Sequence, residues 1–328
     1  MSKINVRSPY YVVINQSPTA TANLKIWTGA LTPEPSTNNY ELSKDSTGGY
    51  GHFEVAELVR DEISHSFDGT YTSYAAWLKV NNETTLLALD GYTEYSDGTN
   101  AQGNTEQLIS NSTIWIPKDV DVRIPVLAQS SYTVTFKDGI ATINTVSITS
   151  QSNTNAVINY ATSTIESGEN ISTIEISGGD TITVRQMECS KYDAYKIVFV
   201  NKHGALQDLY FFKKAVKSIS TTKDSYKANT LSLGSGVTYD TTAHQYNSFD
   251  VLGKEKITLS TGYVSEDYNE PIKEMMLSEK VWMVTPDDIV VPVNVATMNN
   301  TFKTSLNDKL VSYDVEFDYA HDAINNVR

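Results

Sequence analysis

Residues 195–212, "YKIVFVNKHGALQDLYFF", decide how the rest of the chain is read. Before the polar island, Tyr195, Ile197 and Phe199 fall on one side and Lys196, Val198 and Val200 on the other. That period of two is a strand. After the island, Leu206, Asp208, Tyr210 and Phe212 alternate with Ala205, Gln207, Leu209 and Phe211, which makes a second strand. Four residues separate the two, led by Asn201 and closed by Gly204. Asn bonds local backbone and Gly accepts positive φ, so the connection reads as a hairpin corner. On this reading Lys202 and His203 project into water at the tip, and His203 is a loop residue rather than a chemical site.

The same alternation recurs outward from this hairpin. "YYVVIN", "ANLKIWTG", "AAWLKV" and "TTLLALDGY" on the N-terminal side, and "KITLSTGYV", "KVWMVTP" and "IVVPVNVATM" on the other, are short and rich in β-branched and aromatic residues. Turn chemistry separates them, including Asp-Gly pairs at Asp68, Asp90, Asp97 and Asp138. Two segments have helical spacing instead. In "FEVAELVRDEI", Val55, Ala56, Leu58, Val59 and Ile63 form one stripe, predicting a helix over 53–63. "NEPIKEMMLSE", with Pro271 in its first turn and Ile272, Met275 and Met276 on one face, predicts another over 270–279. The expected fold is therefore mainly β, a multi-domain β-sandwich or barrel-like architecture with two short helices.

Length and composition agree. At 328 residues the chain exceeds one domain of ~150 residues, and 40% hydrophobic against 20% charged residues leaves Ser, Thr, Asn and Tyr to cover the surface. Three units are expected: 1–119 with the first helix, a Thr/Ser-rich small sandwich over 120–190 that can be removed without unfolding the rest, and 191–328 with the second helix. A net charge of −14 disfavours a phosphate backbone as partner. No apolar run is long enough for a signal peptide or a membrane span, so neither is expected. The single cysteine, Cys189, permits no internal disulfide and reads as a small buried hydrophobe.

The chemistry-bearing motifs are weak. "STGGYGHFEVAELVR" resembles a phosphate-cradling loop but lacks the Lys-Ser/Thr pair and a preceding apolar strand, and Gly234-Ser235-Gly236 has no helix after it. Histidines 52, 65, 203, 244 and 321 show no ligand spacing. "DGYTEYSDGTN" offers Asp90, Glu94, Asp97 and Asn100 to calcium without the rhythm of a calcium loop, and reads as an acidic turn. Trp27, Trp77, Trp115 and Trp282 sit in strand patterns and are expected in cores; Tyr92 and Tyr95, in a polar loop, are the better candidates for ligand contact. No catalytic, cofactor or metal-binding residue is expected.

Four stretches carry a resemblance: "INVRSPYYVVIN" with "ANLKIWTG"; "FEVAELVRDEI" with "FDGTYTS"; "YKIVFVNKHGALQDLYFFKKAVKSI"; and "TGYVSEDYNEPIKEMMLSEKVWM" with "TFKTSLNDKLVSYDVEFDYA". Across most of residues 4–118 and 191–328 the chain resembles a family of virion structural proteins of tailed bacteriophages, particularly those infecting Bacteroidota. The resemblance implies a tail-tip or baseplate protein of the distal-tail kind. Such a protein is not an enzyme; it works as a homo-oligomeric ring with other virion proteins, assembled in the host cytoplasm. A collar, neck or host-binding appendage that binds a surface glycan is the alternative, and a glycan hydrolase the third reading, since paired carboxylates from distant strands leave no local signature.

Charge supplies the candidate contacts between subunits. Lys213, Lys214 and Lys217, followed by Lys223 and Lys227, form a basic stretch. In "VSYDVEFDYA", Val311, Tyr313, Val315 and Phe317 face one way and Asp314, Glu316 and Asp318 the other. In a head-to-tail ring the basic stretch of one copy meets the acidic strand of the next.

Overall fold

The computed structural model describes residues 2–100, 107–128, 130–149, 154–164, 170–187, 191–302 and 311–324. It is mainly β, 51% strand and 6% helical, built of several sheets, and no sheet closes into a barrel. Cys189 lies outside the described residues.

The first sheet runs β1 (Lys3–Asn5), β9 (Leu86–Leu89), β8 (Ala76–Val80), β3 (Thr19–Trp27) and β5 (Tyr40–Asp45). Strict alternation along β3 buries Ala20, Ala22, Leu24 and Ile26. The hairpin of β2 (Tyr11–Asn15) and β6 (Tyr50–Glu54) supplies Val12, Ile14 and Phe53 to the same core, and α1 (Ala56–Arg60) adds Ala56 and Val59.

The second unit is a two-layer sandwich. One layer is β10 (Thr113–Pro117), β16 (Thr181–Met187), β15 (Thr173–Ile176), β12 (Tyr132–Asp138) and β13 (Ala141–Ile148). The other is β11 (Val122–Val126), β14 (Asn155–Ser163) and β4 (Gly29–Ala30), with β7 (Ser73–Tyr74) also paired to β14. Ile124, Val134, Phe136, Ile174 and Ile182 fill the space between. β10 precedes residue 120, and β4 and β7 come from the first unit's stretch of sequence. The Thr/Ser-rich segment therefore shares hydrogen bonds with what comes before it.

The third unit is a seven-stranded sheet in the order β18 (Leu206–Phe211), β17 (Tyr195–Val200), β23 (Val281–Val284), β24 (Val290–Val295), β25 (Asp314–Tyr319), β22 (Tyr246–Ser260) and β19 (Val216–Lys227). α2 (Asn269–Met276) buries Ile272 and Met275 against Ile197, Phe199, Leu209, Phe211 and Phe317. The hairpin of β17 and β18 is buried on both faces, because Val198, Val200 and Leu206 point to another cluster with Phe67 and Trp282, and Tyr210 and Phe212 to the sandwich core. β20 (Leu231–Leu233) and β21 (Val237–Tyr239) form a small hairpin of their own.

Both helices are shorter than expected: α1 spans Ala56–Arg60 rather than 53–63, and α2 spans Asn269–Met276 rather than 270–279. Phe53 and Glu54 belong to β6, where Phe53 is buried, His52 is exposed and Glu54 pairs with Tyr11. A period of two competes with the helical stripe there and wins, because β2 is available as a partner; the Glu54 carboxylate then accepts from the N–H of Ala56 at 2.9 Å and starts α1. α2 stops at Met276 rather than 279, and Ser278 turns its hydroxyl to the N–H of Val200 and the carbonyl of Lys280.

Candidate functional site

Beyond the pairing of Thr221 with Gly253, β19 and β22 leave the body of the sheet as a two-stranded ribbon. β20 and β21 continue it to a tip at Gly234–Gly236. About twelve residues of strand-like chain on each side give an arm of roughly 40 Å at ~3.3 Å per residue. Every described side chain of β19 is exposed. Ile219, Tyr226, Leu231, Val237, Tyr239, Tyr246 and Phe249 are exposed apolar or aromatic groups, Tyr239 at 71%. Tyr226 and Phe249 touch across the ribbon with ring centroids 6.0 Å apart. The outer edge of β19 has no strand partner among the described residues. Backbone donors and acceptors are thus offered along a basic strand.

The arm leaves one edge of the seven-stranded sheet, and the corner at Asn201–Gly204 joins β17 and β18 at the other edge. Asn201 is 0% exposed and uses its whole amide. Its Oδ1 accepts from the N–H groups of His203 and Ala205 at 3.0 Å, and its Nδ2 donates to the Leu108 carbonyl at 2.7 Å and to Gln207 Oε1 at 2.9 Å. Gln207 Nε2 continues the chain to Asn111 Oδ1 at 3.1 Å. The Lys202 carbonyl accepts from the Tyr92 N–H at 2.9 Å, and its N–H donates to Glu274 of α2 at 3.1 Å. Gly204 has φ +79°, and a Cβ there would lie 2.8 Å from the backbone nitrogen of Asp90. The corner thus joins the first unit, the sandwich and α2.

Lys202 and His203 do not project into water as the hairpin alone predicts. Both are half-buried, because the tip is packed between units. Burial, then Lys202 and Lys3, push the His203 imidazole down to about 4, so the ring is neutral beside Ser110 Oγ, 3.1 Å from its Nε2. Burial also raises the Glu274 carboxyl, opposed by the Ser110 hydroxyl and the Lys202 N–H.

A second buried polar group lies across the same hairpin. Tyr71 donates to Asp208, the Arg123 guanidinium sits 4.7 Å from the Tyr71 ring centroid, and Lys196 Nζ sits 5.6 Å from it. Burial raises the Asp208 carboxyl, with Lys196, Tyr71 and Arg123 acting against it. One residue each from the first unit and the sandwich meets two from the hairpin, so this too is a joint between units.

No family model and no curated protein matches the chain.

Of the basic and acidic residues read from the sequence, Lys217, Asp314, Glu316 and Asp318 lie in one sheet, two strands apart, while Lys213 and Lys214 precede β19. Lys217 is on β19, and Asp314, Glu316 and Asp318 are on β25, with β22 between them. Lys256 of β22 takes Glu316 at 2.7 Å and Asp318 at 3.3 Å on the same chain. Val315 and Phe317 are buried and Asp314 exposed, as the alternation predicts. Lys213 covers Gly262 with its methylenes and its N–H donates to the Ser260 carbonyl; Lys214, Lys223 and Lys227 are exposed.

The other residues singled out in the sequence are occupied structurally. Asp90 pairs with Arg60 and His65, Glu94 with Lys273 and Lys202, Asp97 caps the turn at Glu94, and Asn100 binds the carbonyls of Asn5, Ser8 and Pro9. Among the described residues no three His, Cys, Asp or Glu side chains are grouped to hold a metal ion. Tyr92 is not a loop ring open to ligand: it is half-buried under Arg7, 5.2 Å from its centroid, and burial pushes its phenol up to about 12. Tyr95 is fully exposed. The four tryptophans lie in strands; Trp77 is buried, and Trp27, Trp77 and Trp115 donate to Ala30, Gly29 and Ser265. Gly48 and Gly49 form the turn into β6, not a helix N-terminus.

Proposed function

We propose that this chain is a structural component of a tailed-phage virion, a tail-tip or baseplate protein that acts by symmetric assembly rather than turnover. The observation that carries the reading is the arm: a long ribbon with one edge unpaired among the described residues and exposed aromatic groups, held by a body whose units are locked together through buried polar joints. An unpaired edge is a template for another chain, and the lysines along this one, Lys217, Lys223 and Lys227, are of the kind that keep such an edge from pairing with unsuited chains. The sequence resemblance to virion proteins supports the same reading. The protein assembles from the host cytoplasm into the particle, where its neighbours are copies of itself and other virion proteins. Tyr95 is the one exposed ring of the first unit's polar loop, which leaves the glycan-binding appendage with less support than the assembly role.

Immunogold labelling of intact particles with antibodies to the purified chain tests the proposal. Label confined to one station of the tail is expected. Particles without label, in lysates where the free protein is abundant, would refute it.

A further inference from the structure

A cleft of about 800 Å³ opens between the sandwich and the corner that joins β17 to β18. That is within the roughly 300–1,000 Å³ that small-ligand sites occupy. Residues of the run 107–112 that leads into β10 form one wall, and residues 177–181 at the turn from β15 into β16 form another. Tyr132 and His203 complete it.

The walls are fixed. The N–H of Thr183 donates to the Ser112 carbonyl at 2.8 Å, and that of Ser177 to the Thr133 carbonyl at 2.9 Å. Asn111 is buried; it donates to the Thr113 carbonyl at 2.6 Å and accepts from Gln207, the end of the amide chain that starts at Asn201. The network that joins the units therefore also holds one side of the cleft in shape, and a ligand meets a wall already formed.

The lining says what fits. Ser112, Ser177 and Thr181 are exposed, and their hydroxyls have no hydrogen-bond partner among the described residues. Each hydroxyl can donate once and accept twice. Ser110 is exposed as well, 3.1 Å from His203 Nε2, and the imidazole is neutral at neutral pH because burial holds it down to about 4. A ring so far from neutrality is a poor general base there, so the pair favours binding over turnover. Apolar contact comes from Ile109, Ile176 and the half-buried Tyr132, which also packs on the sandwich core. Asp180 is the one carboxylate of the lining, and the lining contains no lysine or arginine. A phosphate, sulfate or carboxylate group thus finds no cation to answer it. A peptide adds to a sheet edge, but β15 lies between β12 and β16, and β16 between β15 and β10, so the turn presents no free edge. An uncharged ligand rich in hydroxyls, with apolar C–H faces, answers such a wall.

We propose that this cleft is a binding site for a neutral oligosaccharide, with Ser112, Ser177, Asp180 and Thr181 bonding sugar hydroxyls and Tyr132 supplying apolar contact. The inference goes beyond the assembly reading and does not depend on where in a particle the chain sits.

The full chain, carrying a fluorophore, is applied to an array of neutral, sialylated, sulfated and phosphorylated oligosaccharides, and a neutral oligosaccharide that retains it is titrated by calorimetry. Binding to neutral glycans with Kd below about 1 mM is expected. Ser177→Trp, which fills the mouth, and Asp180→Ala should each weaken it by about tenfold or more, with circular dichroism and melting unchanged because both side chains are exposed. Ile140→Trp, at the exposed turn between β12 and β13 outside the cleft, should bind as the parent does. An array that retains nothing, a preference for the anionic glycans, or Ser177→Trp and Asp180→Ala proteins that bind as the parent does would each overturn the inference. A displayed peptide library retained through the same residues, where neutral glycans are not, would overturn it too. Labelling of the particle is read separately: label on the tail without glycan binding defeats only this inference, and glycan binding without label defeats only the virion assignment.

Discussion

Replacing Gly204 by Ala measures how firmly the central corner is docked. Gly204 sits at φ +79°, a conformation costing an L-residue about 1–2 kcal/mol. Its missing Cβ would lie 2.8 Å from Asp90 N, 2.9 Å from Asp90 C and 3.0 Å from Gly91 N. These are backbone atoms of the first unit, and they are themselves held, since the Asp90 carboxylate pairs with Arg60 and His65 and the Tyr92 N–H donates to Lys202. Overpacking of this kind adds about 1–3 kcal/mol. The sum is about 2–5 kcal/mol of lost stability. Gly139, in the turn between β12 and β13, is the control: φ is +57° and no heavy atom lies within 4 Å of its added Cβ. Gly139→Ala should therefore lose only the conformational part, about 1–2 kcal/mol. Urea unfolding followed by circular dichroism compares the two. Equal losses would mean that the corner is not pressed against Asp90 and Gly91, and the account of the joint would fall.

Three further outcomes follow from the buried groups and the shared strands. His203, held down to about 4 from an ordinary 6.5, makes the fold lose stability as pH falls from about 6.5 toward about 4, because the unfolded chain takes up the proton first; His203→Gln should flatten that loss, and unchanged acid sensitivity in urea midpoints would count against it. Asp208 has the opposite sign: its raised carboxyl is neutral at higher pH than in the unfolded chain, so stability declines as pH rises through the folded value, and Asp208→Asn should remove that decline in the same titration. Deleting residues 120–190 should abolish cooperative melting, contrary to what the Thr/Ser-rich composition alone suggests, because Leu127, Ala156 and Ile158 share a core with Trp77, Leu87 and Leu89, and Tyr210 and Phe212 pack into the sandwich. A soluble deletion protein with a sharp melt would show the sandwich to be an accessory.

The strands on either side of Asn201 were legible because alternation and turn chemistry agree over a short span, and β17 and β18 end within one residue of the pattern. The helix over 53–63 was half legible: Val55, Ala56 and Val59 fit a helical stripe, but Phe53 fits a strand equally well, and only the presence of β2 decides between them. Pairing at long range left no local trace. Nothing in "TGAL" announces that Gly29 and Ala30 extend β14, more than a hundred residues later. The joints were hidden for the same reason, since Asn201 and Leu108 are 93 residues apart. One signal was available. Asn201, Gln207 and Asp208 are polar residues in or beside the chain's most apolar strands, and such residues are kept inside only when something answers them. The arm was readable in part, as "KSISTTKDSYK" alternates without an apolar face, though the lysines gave no hint of being on an edge.

The position of β25 has a consequence for the order of synthesis. It lies between β24 and β22, with Phe317 opposite both Ile257 and Val295, and so stitches the four strands β18, β17, β23 and β24 to the ribbon that becomes the arm. A ribosome delivers that ribbon's two strands well before residue 314. Through that interval the ribbon has no strand partner toward the core, and any chain interrupted before β25 never acquires one. An arm with fixed direction exists only on chains translated through residue 319, so the order of translation keeps incomplete products from presenting a correctly aimed arm.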